Sequence, residues 1–337
     1  MFETVLTTIG PWPTLLIGLV ILVFAGDALV KGAVNLALGL GIPALVVGLT
    51  VVAFGTSAPE LIVSLQAALN DQADIAVGNV VGSNIVNILL ILGLPALITV
   101  IRTSQLDVRR SYAMMLATAV LFTALAFTGP LTWWHGLILL SGLTLMLWDN
   151  VRISMAYRAA NTAANTADDT SDTVEGADPG IGWPKIALFI LLGIVGLAIG
   201  ARFLVDGAVI VARDFGVSET VIGLTLVALG TSMPELVTSI VAAIRKQADV
   251  AMGNVIGSNI FNILAIMGVT SLVANVPIDP QILTFDNFFM VAVSLLLIPF
   301  VYFKMDLGRV AAFGFIAIYV GYCVWLVSSG AGPAVPA

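Results

Sequence analysis

Apolar stretches of about 20 residues recur along almost the whole chain, and each is long enough for a helix to cross the hydrocarbon core of a bilayer. Ten are delimited, at roughly 12–34, 43–69, 74–99, 111–128, 131–151, 184–208, 218–244, 249–274, 285–303 and 308–328. In hydrocarbon every backbone N–H and C=O must find a partner within the protein, which restricts helix-length segments to helices. The expectation is an all-α polytopic membrane protein of about ten transmembrane helices. Of the 337 residues 59% are apolar and only 10% charged, against about 25% charged in soluble domains. Lys and Arg number 13 against 20 acids, with no basic run, so the chain lacks the electrostatic footprint of a nucleic-acid binder. Cys323 and His135 are the single residues of their types, which excludes an intrachain disulfide and a thiolate or imidazole metal centre. Glu3 is the one early charge, and the first apolar run continues as a full span. A cleavable signal peptide is therefore not expected.

Lys and Arg in short loops are retained on the cytoplasmic side. Placing both termini outside puts Lys31, Arg102, Arg109, Arg110, Arg152, Arg158, Lys185, Arg245, Lys246, Lys304 and Arg309 within or beside inside connections, and leaves Arg202 and Arg213 on the other side. The acidic segment from about Ala159 to Gly180, with Asp168, Asp169, Asp172, Glu175 and Asp178, then lies inside as a solvated tether. It lacks the glycine-turned spacing of a calcium loop. The expected division is a first five-helix repeat over 1–151, a cytoplasmic linker over 152–183 and a second five-helix repeat over 184–337.

The two halves match in sequence. GTSAPELIVS at 55–64 recurs as GTSMPELVTS at 230–239, and GNVVGSNIVNIL at 78–89 recurs as GNVIGSNIFNIL at 253–264. A constant offset of 175 positions relates these segments and carries Gly32, Gly41, Gly48 and Thr50 onto Gly207, Gly216, Gly223 and Thr225. Five spans is an odd number, so the second copy must enter the membrane from the opposite side. The charges agree: Asn70 and Asp71 follow span two, whereas their counterparts Arg245 and Lys246 follow span seven. Inverted repeats are characteristic of secondary transporters, whose substrate site lies near the midplane where the copies meet.

Glu60 and Glu235 sit in the middle of apolar spans, where an ionised carboxylate is costly and marks a functional site by default. Pro59 and Pro234 precede them and cannot donate to the carbonyls four residues back, at Gly55 and Gly230. A kink with freed carbonyls is expected there. Thr56 and Thr231 lie one turn before the glutamates, and Ser57 and Ser232 beside them. The result is an all-oxygen set suited to hard cations such as Ca²⁺ or Na⁺. Ser83 with Asn87, and Ser258 with Asn262, are each one turn apart on one helical face and supply a hydroxyl and an amide oxygen for the opposite wall. Gly78, Gly82, Gly253 and Gly257 read as helix-packing positions. Asn84 and Asn259 read as structural hydrogen-bonders pointing elsewhere, Asp74 and Asp249 as caps or mouth residues at span starts, Asp27 and Asp206 as interface-facing and not register partners of each other, and His135 beside Trp133 and Trp134 as part of an interfacial belt.

The paired GTSxPEL and GNVxGSNIxN segments resemble the alpha repeats of the sodium/calcium exchanger family within the calcium/cation antiporter superfamily. That resemblance spans both halves and implies ten helices and exchange of Ca²⁺ against Na⁺ at a midplane site by alternating access, with no cofactor. It implies Glu60 and Glu235 as main calcium ligands, with Thr56, Ser57, Thr231, Ser232, Ser83 and Ser258 adding oxygens to sodium and calcium. The carbonyls of Ala53 and Ala228 and the amides of Asn87 and Asn262 complete the set. Several microbial and potassium-dependent relatives have aspartate at the Asn262 position; asparagine here argues against potassium co-transport. Ca²⁺ and Na⁺ are the implied substrates, a bacterial-type plasma membrane the expected location, and no obligate protein partner or nucleic acid is implied.

Proton/calcium antiport is the alternative transport reading, although proton-coupled relatives usually carry Gly-Asn where this chain has Thr-Ser. A cation channel would conduct without obligatory exchange. An intramembrane enzyme has no support, because the chain has no Ser/His pair, no His-Glu-x-x-His and no Gly-x-Gly-Asp motif.

Overall fold

A computed structural model describes residues 10–70, 73–164, 180–215 and 228–328. The order is α1 (Pro11–Leu40), α2 (Ala44–Thr56), α3 (Ala58–Leu69), α4 (Ile75–Ile98), α5 (Arg109–Ala126), α6 (Trp133–Ala164), α7 (Trp183–Asp214), α8 (Ala228–Thr231), α9 (Met233–Ile244), α10 (Ala248–Val273), α11 (Ile282–Tyr302) and α12 (Arg309–Ser328). Seven of these are long and apolar enough to cross a bilayer alone, and the bent pair α2 and α3 makes an eighth. The fourth expected span is α5, which begins with Arg109 and Arg110; the seventh is represented by α8 and α9, its first part lying outside the described residues. The protein is an all-helical polytopic membrane protein. α6 runs past Val151 to Ala164, into residues that composition assigns to the linker. Alanines and Arg152 and Arg158 in this stretch are good helix formers, which explains the extension. The acidic residues Asp168 to Asp178 lie outside the described residues.

Burial sorts the helices. In the apolar segments of α4 and α10, 78% and 83% of residues are buried, against 22% for α6 and 11% for α12. The two helices carrying the GNVxGSNIxN motif are therefore the axis of the molecule, and their polar side chains face protein rather than lipid. The rest of the bundle wraps them with Leu, Ile, Val and Phe. α1 and α7 cross at backbone contact: a Cβ placed on Gly18 would lie 2.4 Å from the Leu204 nitrogen, and one on Gly200 would lie 2.9 Å from the Leu22 nitrogen. Small residues allow such approach where lipid gives no hydrophobic drive between helices.

The contacts repeat themselves under the 175-residue offset to within one position. Isolated bridges join Ile101 to Leu307 and Leu131 to Val276, which ties the connection after α4 to that after α11, and the connection after α5 to that after α10. Asp27 pairs with Lys31 at 2.9 Å and with Arg245 at the end of α9, while Arg202 pairs with Asp206 at 3.6 Å. Asp27 and Asp206 are not related to each other by the offset, as expected, but each has a counterpart of opposite sign: Arg202 stands where Asp27 does, and Asp206 where Lys31 does. Matching like with like hides this relation. His135 is 2% exposed rather than part of a surface belt; its Nδ1 accepts the Thr132 N–H at 2.9 Å and its Nε2 lies 2.7 Å from the Thr128 hydroxyl. The exposed rings beside it are Trp133 and Trp134.

Gly18→Ala is expected to lower stability by about 1–3 kcal/mol, because the added methyl meets backbone that no rotamer change can move. Gly314→Ala on the exposed side of α12, where a Cβ meets nothing within 4 Å, is the control. Thermal unfolding of the two purified variants in detergent checks the difference.

Candidate cation site

The span holding the first glutamate is broken where the proline rule places the break. α2 ends at Thr56, α3 begins at Ala58 with Pro59 in its first turn, and the two are bent by 45°. The second repeat copies this, with α8 ending at Thr231 and α9 starting at Met233 with Pro234 next. Ser57 and Ser232 occupy the breaks and have left helical geometry, with ψ near 6° in both. Their hydroxyls therefore project across the interface between the repeats. Ser57 Oγ donates to Glu235 Oε1 at 2.9 Å, and Ser232 Oγ donates to Glu60 Oε1 at 3.1 Å. Each carboxylate is thus held by the broken helix of the other repeat. Both glutamates are 1% exposed.

Most of the remaining expected residues converge on the same place. Ser258 Oγ lies 3.5 Å from Glu235 Oε1 as a donor, and Ser83 Oγ accepts from Ser232 Oγ at 3.4 Å. Thr56 Oγ1 lies 3.3 Å from the Ala53 carbonyl and 3.1 Å from Asn254 Oδ1. The Ala53 carbonyl also accepts the Ser57 N–H at 3.0 Å. Thr231 is half-buried at the end of α8, and Ala228 stands at its start. Asn87 and Asn262 are 1% exposed, and each opens a stretch in which the helix widens to π-type turns, Asn87–Ile91 and Asn262–Met267. Such bulges frequently mark functional positions. Asp249 is half-buried in the first turn of α10, and the side chain of Asp74 lies outside the described residues.

Four buried oxygens here have no hydrogen-bond partner in the protein: Glu60 Oε2, Glu235 Oε2, Asn87 Oδ1 and Asn262 Oδ1. Among the described residues, these are the orphaned side-chain atoms that occur at both members of a repeat-related pair. Buried acceptors without donors cost free energy, and carboxylate and amide oxygens are the ligand types of a hard-cation site.

Sequence reasoning left a second layer without a role. Asn79 Nδ2 donates to Ser64 Oγ at 2.9 Å and lies 3.4 Å from the Glu60 carbonyl; Asn254 Nδ2 makes the same two contacts with Ser239 Oγ and the Glu235 carbonyl, at 3.2 and 3.3 Å. These asparagines hold the helix turns that carry the glutamates. Asn84 and Asn259 do not point away from the site region: Asn87 Nδ2 donates to Asn259 Oδ1 at 2.9 Å, and Asn262 Nδ2 donates to Asn84 Oδ1 at 3.0 Å. Helical periodicity places Asn84 off the Ser83–Asn87 face and carries no information about a partner arriving from the other repeat. The signal available was the register itself, since all these residues obey the same offset.

A buried helical core in which two repeated motifs bring together two buried carboxylates suits a membrane transporter of the cation antiporter class rather than an enzyme. The sequence pattern of the sodium/calcium exchanger protein family matches residues 11–148 and 185–328, and the chain belongs to that family. It is 36% identical over 320 residues to the putative antiporter CaxA of Alkalimonas amylolytica, covering 93% of this chain and 98% of that one. It is 34% identical over 344 residues to the sodium/calcium exchanger MaX1 of Methanosarcina acetivorans, covering 93% and 97%. A solved structure of the sodium-calcium exchanger NCX_Mj superposes with a TM-score of 0.78 at 30% identity, covering 95% of this chain and 98% of that one.

Asn254→Leu is expected to destabilise the protein by about 1–3 kcal/mol, because it removes the buried bonds to the Thr56 and Ser239 hydroxyls and to the Glu235 carbonyl. A lowered midpoint in a fluorescence-detected thermal melt, with Ser328→Ala as a surface control, checks it.

Proposed function

We propose that the protein exchanges Ca²⁺ for Na⁺ across the membrane, with Glu60, Glu235, Asn87 and Asn262 as the central ligands. The observation that carries this reading is the set of four orphaned, repeat-paired oxygens. Around them Ser57, Ser232, Ser83, Ser258, Thr56 and Thr231 contribute hydroxyls, and Ala53 and Ala228 contribute carbonyls. Two carboxylates neutralise one Ca²⁺ or two Na⁺, so either load fills the centre and excludes the other. An empty centre keeps two unpaired charges in low dielectric, which disfavours reorientation without cargo. That difference is what makes exchange obligatory rather than a leak. The names of MaX1 and NCX_Mj as sodium–calcium exchangers support Na⁺ as the coupling ion, as do the Thr-Ser pairs before each Pro-Glu.

Alternating access proceeds by sliding of α1 and α7 against the remaining helices. These two pack on each other through glycines and hold none of the proposed ligands. The repeats are the five-helix units 1–151 and 184–337, the segment 152–183 is cytoplasmic, and both termini are extracytoplasmic in a plasma membrane of bacterial type, as the loop charges argue.

The test is calcium uptake into proteoliposomes under an outward Na⁺ gradient, an outward H⁺ gradient, or none. Na⁺-driven uptake is expected; H⁺-driven uptake assigns proton coupling, and uptake with no gradient assigns a channel. Glu60→Gln and Glu235→Gln should each lower the sodium-driven rate by about 100-fold or more, the scale of losing one buried charge partner, with insertion unchanged. A normal rate in either variant rejects the site.

A further inference from the structure

An asparagine side chain presents two ends of similar shape and opposite polarity, a carbonyl oxygen that binds cations and an NH₂ that repels them. In a buried site the hydrogen-bond partners alone decide which end faces the cargo. From the contacts around Asn87 and Asn262 we propose that Asn84 and Asn259 are positioning residues that fix those two ligand amides with their oxygens toward the centre, each repeat aiming the amide of the other. This rests on the reading of Asn87 and Asn262 as cation ligands.

A backbone carbonyl and a thioether sulfur only accept. Asn259 Nδ2 lies 3.4 Å from the Asn84 carbonyl and 3.6 Å from the Met115 sulfur, and Asn84 Nδ2 lies 3.3 Å from the Asn259 carbonyl and 3.7 Å from the Met290 sulfur. Turning either amide over would set its oxygen against two acceptors, so the Nδ2 ends stay where they are. That leaves Asn259 Oδ1 and Asn84 Oδ1 as fixed acceptors. Only an NH₂ group satisfies an acceptor, so Asn87 must present Nδ2 to Asn259, and Asn262 must present Nδ2 to Asn84. Their oxygens then face the other way, and these are two of the four orphaned atoms of the centre. Met115 and Met290 obey the 175-residue offset too, which extends the arrangement to α5 and α11. All six side chains are at most 2% exposed, so water does not compete for these bonds.

A double-mutant cycle on Ca²⁺ affinity tests the assignment. Calcium binding to the purified protein is measured by titration calorimetry, and flux at saturating calcium in proteoliposomes, for wild type, Asn259→Leu, Asn87→Ala and the double variant. Leucine keeps the volume and removes the acceptor. Asn259→Leu alone is expected to raise the calcium Kd about tenfold or more, the scale of a hydrogen bond to a charged partner, with maximal flux within about threefold of wild type. In the Asn87→Ala background it should change Kd less than about twofold, because there is no amide left to aim. Equal factors in both backgrounds, or a loss of flux with unchanged Kd, overturn the proposal and assign Asn259 to packing. Asn84→Leu against Asn262→Ala asks the same question in the other repeat, and serine replaces leucine where a leucine variant does not elute as a single species. Wild-type protein that binds no calcium rejects the exchange reading itself, an outcome distinct from an additive cycle on a wild type that does bind.

Discussion

The cost of holding two carboxylates at the centre of a bilayer protein organises the rest of the structure. Neither glutamate has a basic partner among the groups described around it. Each is held instead by a serine hydroxyl from the opposite repeat, with Ser258 of the same half adding a longer contact to Glu235. Inserting a carboxylate at that depth costs several kcal/mol, and the interface between inverted copies is where donors from two broken helices can reach it. The burial of α4 and α10 follows. These helices bring the asparagines and serines that continue the polar region, and they tolerate them because lipid never reaches that surface.

Within each repeat the three asparagines of GNVxGSNIxN divide the work. The first holds the turn that carries the glutamate, the second reaches across to the other repeat, and the third donates its NH₂ to that crossing asparagine. The contacts between α4 and α10 are reciprocal, Asn84 with Asn259 and Asn262, and Asn259 with Asn84 and Asn87. Separating these two helices would break both sets at once and leave buried amides unpaired, at a cost of roughly 1–3 kcal/mol each. The helices that can move cheaply are those that contribute no polar contact to the centre. α1 and α7 meet that condition, and their ion pairs, Asp27 with Lys31 and Arg245, and Arg202 with Asp206, lie in partly exposed surroundings where such pairs contribute little.

Most of this was legible in the sequence because the signal came twice. A glutamate in an apolar span is a weak hint once; at a constant offset, with Thr-Ser before it and proline beside it, it pointed to a pair of buried carboxylates. The break at Ser57 followed from the missing N–H of Pro59. What the sequence did not show were relations with no helical period. Asn84 and Asn259 lie off the face shared by serine and the ligand asparagine, and their partners lie about 175 residues away, where no local rule reaches. The charges of Asp27 and Arg202 are reversed at corresponding positions, a relation that likeness of residues does not reveal. The π-type turns at Asn87 and Asn262 leave no local mark that distinguishes them from ordinary helix.

The amide at position 262 also constrains the charge of the centre from behind. Asn262 needs an acceptor for its NH₂, and Asn84 supplies one because its own NH₂ is committed to a carbonyl and a sulfur. A carboxylate in place of Asn262 would have no hydrogen to give and would set oxygen against Asn84 Oδ1, so a third negative charge at this position would require Asn84 to turn over and abandon both of its acceptors. Asn259 imposes the same condition on Asn87. In this chain the crossed asparagines and the amides of Asn87 and Asn262 are therefore mutually consistent, because the acceptors behind those two positions suit NH₂ groups and not ionised carboxylates.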